Sequence, residues 1–424
     1  MQFWLLILKA HRDALNRSQH KTAEAVTLMS QRAFVIWIGM GVLLGIFFSP
    51  ARGQEGTLEV RAEVDYAFGE RIAFRARFPS EIAIEQVEVL FQANSDPTVV
   101  EAAAFVNGAW IYEHDVRARY ERAFGTVKYW FRVTLSEGGT QETEPFSFFY
   151  EDNRFTWQVL EGVPFRVHWY EGDTAFAQAV LDAARAGAQQ AGVILDTEFT
   201  EMVEIYVYGK LADYQFVRDA MGPLWAGGHA DPEAGVIVVS LPPGDNQALE
   251  VERKIPHEVA HLMLYQATRE GFWNLPTWLN EGFASTLERN PNPDYPFLVT
   301  SAVENGTLIP LVALCQPFPR DAGAAVLAYA ESTSFVRYLQ KRFGPEGLRA
   351  VVNAYANGAG CELGTNVPPV DLSLSQLERE WREGELAENI VLTALREVAP
   401  WLILLGAVVA GPVLVVVGFR RPGK

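Results

Sequence analysis

The sequence predicts an α+β protein in which an all-β segment precedes a largely helical one, with a transmembrane helix near the C-terminus. Three observations support this prediction. Short apolar segments separated by turns fill 54–153, helical periodicity dominates much of 154–390, and 398–419 contains no charged residue. Within 154–390, predicted strands at Val203–Tyr208 and Gly235–Ser240 are followed by helices, which is typical of an α+β domain. The chain of 424 residues is long enough for two or three domains.

The first 53 residues are predicted to be a leader that contains a signal peptide. Residues 33–49 form an uncharged apolar run, preceded by basic residues and followed by small ones, which is typical of a secretory signal cleaved before Gln54. An uncleaved membrane anchor is the alternative. Because the stretch before the apolar run is long for a signal, translation from Met29 instead of Met1 stays open as well.

The segment 54–153 is predicted to fold as an immunoglobulin- or fibronectin-like β-sandwich. Six or seven strands at this spacing, with a turn signal such as Asn107-Gly108, are typical of that architecture. No group of residues in this segment indicates catalysis. The expected role of the sandwich is therefore spacing, packing or binding of a surface partner.

The helical half contains the motif His257-Glu258-Val259-Ala260-His261. Positions i and i+4 of a helix lie on one face, so both imidazoles can reach one metal ion. Zinc accepts such nitrogen ligands in a tetrahedral site. Glu258 is placed to contact a zinc-activated water and to take its proton as the water attacks a carbonyl. A helix with two incidental histidines is the alternative.

A catalytic zinc site needs a third ligand, and Glu281 is the predicted one. Nineteen residues separate it from His261, and a second helix is predicted to begin near Pro276. Two histidines, one glutamate and a water form the open site expected of catalytic zinc, whereas structural sites are usually closed by four protein ligands. Taken alone, Glu281 would be interpreted as an exposed charge on a helix.

The two motifs together resemble the gluzincin metallopeptidases, the clan of thermolysin and aminopeptidase N. The resemblance covers roughly 163–388 and is closest to bacterial peptidase MA-like domains. It implies a thermolysin-like catalytic domain that hydrolyses peptide bonds with one zinc ion per chain. By this resemblance His257, His261 and Glu281 bind the zinc. Glu258 is then the general base.

The resemblance extends to Tyr329, which opens a helix similar to the one that carries an oxyanion-stabilising tyrosine in aminopeptidase-N-like enzymes. Two features depart from those enzymes. The interval between the second histidine and the glutamate is one residue longer, and the Gly-x-Met-Glu-Asn motif that holds a substrate's free amine is absent. Exopeptidase activity is therefore unsupported. The strand Gly235–Ser240 is expected to offer an edge to an extended peptide.

Pro256 directly precedes the first histidine of the motif. Because proline fits the first turn of a helix better than its interior, the regular helix is predicted to begin there. The two cysteines, Cys315 and Cys361, could pair or remain two separate buried thiols, and both possibilities stay open.

The C-terminal segment determines the predicted location. A helix over 398–419 would be long enough to span a hydrocarbon core of about 30 Å, and the basic tail 420–424 would lie in the cytoplasm. The sequence therefore predicts a single-pass protein of the cell membrane with its catalytic domain outside the cytoplasm. A buried helix of a soluble domain is the alternative.

The composition and the motifs limit the function to two hypotheses. A formal net charge of −17 disfavours nucleic acid as a partner. The leading hypothesis is a membrane-anchored extracytoplasmic zinc peptidase that acts on a peptide or protein substrate. The alternative is an inactive cell-surface binding or adhesion protein that keeps the peptidase fold as a scaffold. The intact ligands, base and tyrosine favour the first hypothesis.

Overall fold

Strands fill the first part of the chain that the structure describes. This computed structural model describes residues 58–93, 96–119, 123–221, 228–387, 398–405 and 408, and the predicted leader and signal peptide lie outside these ranges. The first eight strands are β1 (Arg61–Ala67), β2 (Arg71–Arg77), β3 (Ile84–Ala93), β4 (Val99–Val106), β5 (Ala109–Asp115), β6 (Gly125–Leu135), β7 (Thr140–Glu142) and β8 (Phe146–Tyr150).

These eight strands lie in the segment predicted to be an immunoglobulin- or fibronectin-like sandwich, and they form one connected antiparallel sheet. The strand order is β1-β2-β5-β4-β3-β6-β7, with β8 beside β6. The sheets are joined because β4 changes partner: Val99 to Ala103 pair with β3, and Ala104 to Val106 pair with β5. Side chains from the two halves meet in one core, where Phe74 stacks on Phe91 with ring centroids 5.0 Å apart.

A second sheet with two helices follows. Its elements are β9 (Gln158–Gly162), β10 (Phe165–Trp169), α1 (Thr174–Leu195), β11 (Val203–Tyr208), α2 (Leu211–Met221), β12 (Gly228–Asp231) and β13 (Val236–Ser240). The strand order is β12-β13-β11-β10-β9, with parallel pairing in the centre and antiparallel pairing at both edges. The strand expected to offer an edge, Gly235–Ser240, lies inside the sheet, and β12 is the edge strand beside it.

The remaining described elements are mostly helical. The α-helices among them, up to residue 387, are α3 (Gln247–Thr268), α4 (Thr277–Thr286), α5 (Tyr295–Asn305), α6 (Ala322–Ala356) and α7 (Leu374–Glu380). The prediction that the motif helix begins at Pro256 is wrong, because α3 starts nine residues earlier and continues through the proline. α4 begins directly after Pro276, as the sequence predicts. The α+β class predicted from the sequence agrees with this architecture.

The helices pack closely around α3. At Gly187 of α1, an added Cβ would lie 2.9 Å from the Cα of Pro256, so the two helix backbones nearly touch. On the other side, Trp278 of α4 packs edge-on against Phe335 of α6, with ring centroids 5.1 Å apart. This dense packing fixes the relative positions of the three helices that carry the candidate site residues.

The sequence leaves open whether the two cysteines pair. In the structure, Cys315 and Cys361 are joined by a disulfide. Cys315 ends the short 3-10 helix Ala313–Cys315, which packs on α4, whereas Cys361 follows α6. The bridge therefore ties the segment before α6 to the segment after it.

The prediction of a C-terminal transmembrane helix over 398–419 is corrected by the structure. Only 398–405 and 408 of this range are described, and the helical stretch 398–405 would span about 12 Å of a membrane core of about 30 Å. No helix among the described residues has the length and apolar composition needed to cross a membrane. The single-pass membrane localisation that rested on this helix is corrected with it. The tail at 420–424 lies outside the described residues.

Candidate metal site

Two helices bring the three predicted ligand side chains together. α3 carries His257 and His261 one turn apart, with imidazole centroids 5.0 Å from each other. α4 presents Glu281, whose Oε2 lies 3.5 Å from Nε2 of His257 and 3.9 Å from Nε2 of His261. One ligand atom of each residue lies within 4.8 Å of the other two. A cluster of this size can hold one metal ion.

The second ring nitrogen of each histidine has its own partner. Nδ1 of His257 lies 3.0 Å from Oε1 of Glu288, and Nδ1 of His261 lies 3.0 Å from Oδ1 of Asn280. Since both partners are acceptors, each Nδ1 carries a proton, and Nε2 is the ring nitrogen that remains to bind an ion. Such outer partners orient metal-binding histidines and fix their tautomer. Both imidazoles are therefore prepared to bind an ion next to Glu281.

The donor set fits zinc. Two imidazole nitrogens and one carboxylate oxygen are ligands that zinc binds in catalytic sites, where a fourth position stays open. Calcium and magnesium instead favour sites built from oxygen ligands. The donor set is therefore better suited to zinc than to calcium or magnesium.

Glu258 lies beside the ligand cluster and under the edge strand of the second sheet. Its residue surface is 5% exposed. A Cβ at Gly228 of β12 would lie 2.4 Å from Oε1 of Glu258, so the glycine leaves space that the carboxylate occupies. Burial raises the pKa of Glu258. A raised pKa brings a carboxylate closer to the range in which it can accept and release a proton near neutral pH.

Tyr329 reaches the same cluster from α6. Its hydroxyl forms a hydrogen bond with Glu281, and its ring packs edge-on against Phe318 with centroids 5.0 Å apart. Burial, together with the negative charge of Glu281, raises the pKa of Tyr329. The phenol therefore remains protonated at neutral pH and can act as a hydrogen-bond donor.

Two of the predicted ligands, His257 and Glu281, stabilise each other's charge: positive on the imidazole and negative on the carboxylate. Burial alone would lower the pKa of His257, but hydrogen bonds with Glu281 and Glu288 raise it to about 10. Burial alone would raise the pKa of Glu281, but the charge of His261 and the hydrogen bond with His257 lower it to about 2. Since a metal ligand must be a neutral imidazole, an ion has to displace a proton from His257.

Close contact between α4 and α6 brings Tyr329 next to Glu281. A Cβ at Gly282 would lie 2.6 Å from the backbone oxygen of Ser332, so a larger residue would push the two helices apart. Gly282 directly follows the predicted third ligand in the sequence. The close packing of the two helices therefore explains why a glycine stands at this position of the motif.

Three residues at the site belong to no sequence prediction: Asn280, Glu288 and Phe318. Asn280 had a local signal, because it directly precedes Glu281 in the motif. Glu288 follows Glu281 by seven residues, close to two helical turns, which is a weaker signal of a shared face. Phe318 lies three residues after a disulfide-bonded cysteine, and no local pattern predicts its contact with Tyr329.

The site lies within a region that matches a known family. The family profile described as Peptidase MA superfamily matches residues 155–385, more than half of the 424-residue chain. The matched range includes all five residues that the sequence predicts for zinc binding and catalysis. Among curated proteins, no significant match is found.

Several solved structures are similar to parts of the chain. A carbohydrate-binding module family 56 beta-1,3-glucan binding domain is 15% identical, with 21% of this chain and 98% of that chain covered and a TM-score of 0.17. A protein named "Myokine structure" is 7% identical, with 22% and 97% covered and a TM-score of 0.19. A polysaccharide deacetylase from Bacillus cereus is 7% identical, with 44% and 61% covered and a TM-score of 0.20. At these TM-scores the similarities support no conclusion about function.

Proposed function

This chain belongs to the Peptidase MA superfamily, and we propose that it is a zinc-dependent peptidase of the gluzincin type. The observation that supports the proposal is the convergence of His257, His261 and Glu281, with Glu258 buried beside them. The substrate class is a peptide or a protein. Zinc held by the three ligands would supply a Lewis acid that polarises a carbonyl and lowers the pKa of water.

Glu258 is assigned the proton transfer. It accepts a proton from the attacking water and delivers it to the amine that leaves when the peptide bond breaks. Its burial raises its pKa, which makes the carboxylate a stronger base towards the attacking water. The space under Gly228 holds the carboxylate next to the ligand cluster.

Tyr329 is assigned the stabilisation of negative charge on the substrate's carbonyl oxygen. Its hydroxyl bonds to Glu281, which locates a donor beside the ligands. Because its pKa is raised, the phenol keeps its proton and can donate to the developing oxyanion. The close packing at Gly282 supports this position of the hydroxyl.

The alternative function is an inactive binding or adhesion protein that keeps the fold as a scaffold. A scaffold could use the three ligands for stability, but it would need neither a buried Glu258 nor a tyrosine hydroxyl at the site. The placement of these two residues therefore favours an enzyme. For the all-β part, β1 to β8, we propose packing or binding of a partner instead of catalysis.

The proposal predicts zinc-dependent cleavage of peptides by the full chain. We expect a chelator to abolish cleavage of a mixed peptide library, followed by mass spectrometry, and added zinc to restore it. Glu258→Gln should lower kcat by about 10²- to 10⁴-fold because the base is lost, with zinc content unchanged. Tyr329→Phe should lower kcat by about 10²- to 10³-fold because one donor to the oxyanion is lost.

A matched control is Glu270→Gln, which neutralises an exposed acid just after α3 and should leave kcat unchanged. Equal cleavage by wild type and Glu258→Gln would contradict the role of the base. Zinc-loaded wild type that cleaves no peptide in the library would favour the scaffold.

A further inference from the structure

A proline in the middle of α3 leaves one backbone carbonyl without its helical partner. Pro256 lies inside the helix Gln247–Thr268 and has no N–H to donate. The carbonyl four residues earlier belongs to Glu252 and would otherwise accept that hydrogen bond. Because buried backbone acceptors need partners, the question is which group bonds to Glu252 instead.

The chain that follows α4 supplies the missing donors. The carbonyl of Glu252 accepts the backbone N–H of Arg289 at 2.9 Å and that of Asn290 at 3.3 Å. Two hydrogen bonds from another element therefore replace the one that the proline removes from the helix. Both donors come directly after Glu288, the residue that bonds to His257.

Side chains strengthen the same attachment. Nε of Arg253 donates to the carbonyl of Asn290 at 3.1 Å, and Nε of Arg289 lies 3.0 Å from the carboxylate of Glu252. The turn after α4 is thus held to one face of α3 by backbone and side-chain contacts. These contacts lie within one or two turns of the first histidine of the motif.

The attachment determines where the side chain of Glu288 lies. This side chain is 5% exposed, and its Oε1 lies 3.0 Å from Nδ1 of His257. Its Oε2 is buried, and no hydrogen-bond partner is found for it among the described residues. The position of the carboxylate therefore depends on His257 and on the backbone that follows it.

We propose that Pro256 is a positioning residue for the metal site, because it frees the Glu252 carbonyl to anchor the turn that holds Glu288 against His257. Glu288 in turn keeps the proton on Nδ1 and directs Nε2 of His257 toward the ion. This inference rests on the proposed function insofar as that function makes His257 a zinc ligand.

The test is the zinc affinity of the full chain, measured by competition with a chelator of known affinity. Pro256→Ala supplies an N–H that competes for the Glu252 carbonyl. Although alanine is far better than proline inside a helix, we expect the affinity to fall about 10-fold because Glu288 loses its fixed position. Glu288→Ala should lower the affinity about 10- to 100-fold, and Glu270→Gln should leave it unchanged.

A double variant separates this mechanism from general destabilisation. If Pro256 acts through Glu288, then Pro256→Ala should cause no further loss of zinc affinity in a Glu288→Ala background. Additive losses would overturn the proposal, and so would wild-type affinity in the single variant Pro256→Ala. Arg289→Ala keeps the backbone N–H and should retain most of the affinity.

A second substitution tests the same contact from the other side. Arg289→Pro removes the N–H that donates to Glu252 at 2.9 Å, and we expect a loss of zinc affinity similar to that of Pro256→Ala. Unchanged affinity would overturn the proposal even where the Pro256 variant does not fold. Zinc affinity is measured without substrate. A failure of peptide cleavage would therefore refute the proposed function without changing the interpretation of the affinity measurements.

Discussion

The pKa values of Glu281 and Glu331 are shifted in opposite directions because the neighbours of the two carboxylates differ. Glu281 lies between imidazoles whose charge and hydrogen bonds outweigh its burial and lower its pKa to about 2. Glu331 on α6 is fully buried, and burial raises its pKa to about 8. The backbone N–H of Ile309 donates to both of its oxygens, at 3.1 and 3.2 Å, and only partly offsets the burial. Residue type alone does not predict these charge states.

Glu331 should make the stability of the fold depend on pH. Between its ordinary pKa of 4.5 and about 8, the folded state holds a proton that the unfolded chain has lost. The free energy of unfolding contributed by Glu331 therefore falls as the pH rises through this window, by at most about 1.4 kcal/mol per pH unit. We expect Glu331→Gln, which stays neutral, to gain stability relative to wild type between pH 5 and pH 9, measured by urea unfolding.

The control is Glu346→Gln, which changes an exposed acid on the same helix and should keep the wild-type pH dependence. A difference between wild type and Glu331→Gln that is the same at pH 5 and pH 9 would contradict this prediction. The difference between the two proteins is the quantity of interest, because the other titrating groups largely cancel in it.

The sequence was sufficient to predict the ligand cluster but not its outer partners. His257 and His261 could be predicted because helical geometry places positions i and i+4 on one face. Glu281 was a candidate because a second helix was predicted to begin near Pro276, whereas Tyr329 needed a family resemblance, since its distance from the histidines depends on how α6 packs. Glu288 could not be predicted, because its contact with His257 depends on a turn held by a backbone carbonyl of another helix.

At the scale of elements, the sequence does not predict contacts that an element makes with distant parts of the chain. Rules for proline describe an isolated helix, whereas the helix through Pro256 is completed by donors from a distant turn. The pattern of strands was visible in the sequence, but the change of partner along β4 is not a local property. The membrane span predicted from the 22 uncharged residues at 398–419 is a separate error, since no described helix meets that requirement. Local patterns predict element type better than they predict partners.

The disulfide is expected to stabilise the region around α6. Cys315 and Cys361 are 46 residues apart. A bridge that closes a loop of this length lowers the entropy of the unfolded chain, and this stabilises the folded state by about 4 kcal/mol. We expect a Cys315→Ser/Cys361→Ser variant to unfold at a clearly lower temperature than the oxidised wild type. Thermal unfolding followed by circular dichroism, with and without a reductant, measures the effect.

Reduction provides the control for this experiment. The reductant should lower the melting temperature of the wild type toward that of the double variant, whose own melting temperature should not change. A wild type that melts at the same temperature in both conditions would show that the bridge does not contribute to stability.

At the scale of the whole molecule, the all-β part and the α+β part that follows it share a core. Phe124 lies 4.3 Å from Tyr206 of β11, measured between ring centroids, and the described residues from Leu58 onward belong to one compact unit. Where the two parts join, Asp152 is fully buried and accepts hydrogen bonds from Arg154 and from the hydroxyl of Tyr208. The sequence placed a domain boundary near this point but gave no sign of the shared core.

This shared core predicts that the two parts unfold together. Arg154 bonds to Asp152 at 2.8 and 2.6 Å and lies 4.0 Å from the ring centroid of Phe216 on α2. Asp152→Ala removes the acceptor for Arg154 and Tyr208, so we expect it to lower the free energy of unfolding by about 2–3 kcal/mol. Scanning calorimetry should show a single transition for the wild type, shifted as a whole in the variant.

The matched control is Asp115→Ala, which removes an exposed partner of Arg117 and should leave the free energy of unfolding close to that of the wild type. Two separate transitions in Asp152→Ala, with the α+β part melting at the wild-type temperature, would mean that the two parts fold independently and that their contact does not couple their unfolding. A single shifted transition would instead mean that the buried carboxylate of Asp152 couples the two parts. Loss of its hydrogen bonds would then destabilise the sheet β1 to β8 and the helices α3 and α4 equally. The same scan with zinc tests this coupling from the other end, since an ion bound at α3 and α4 should raise the melting temperature of the whole unit.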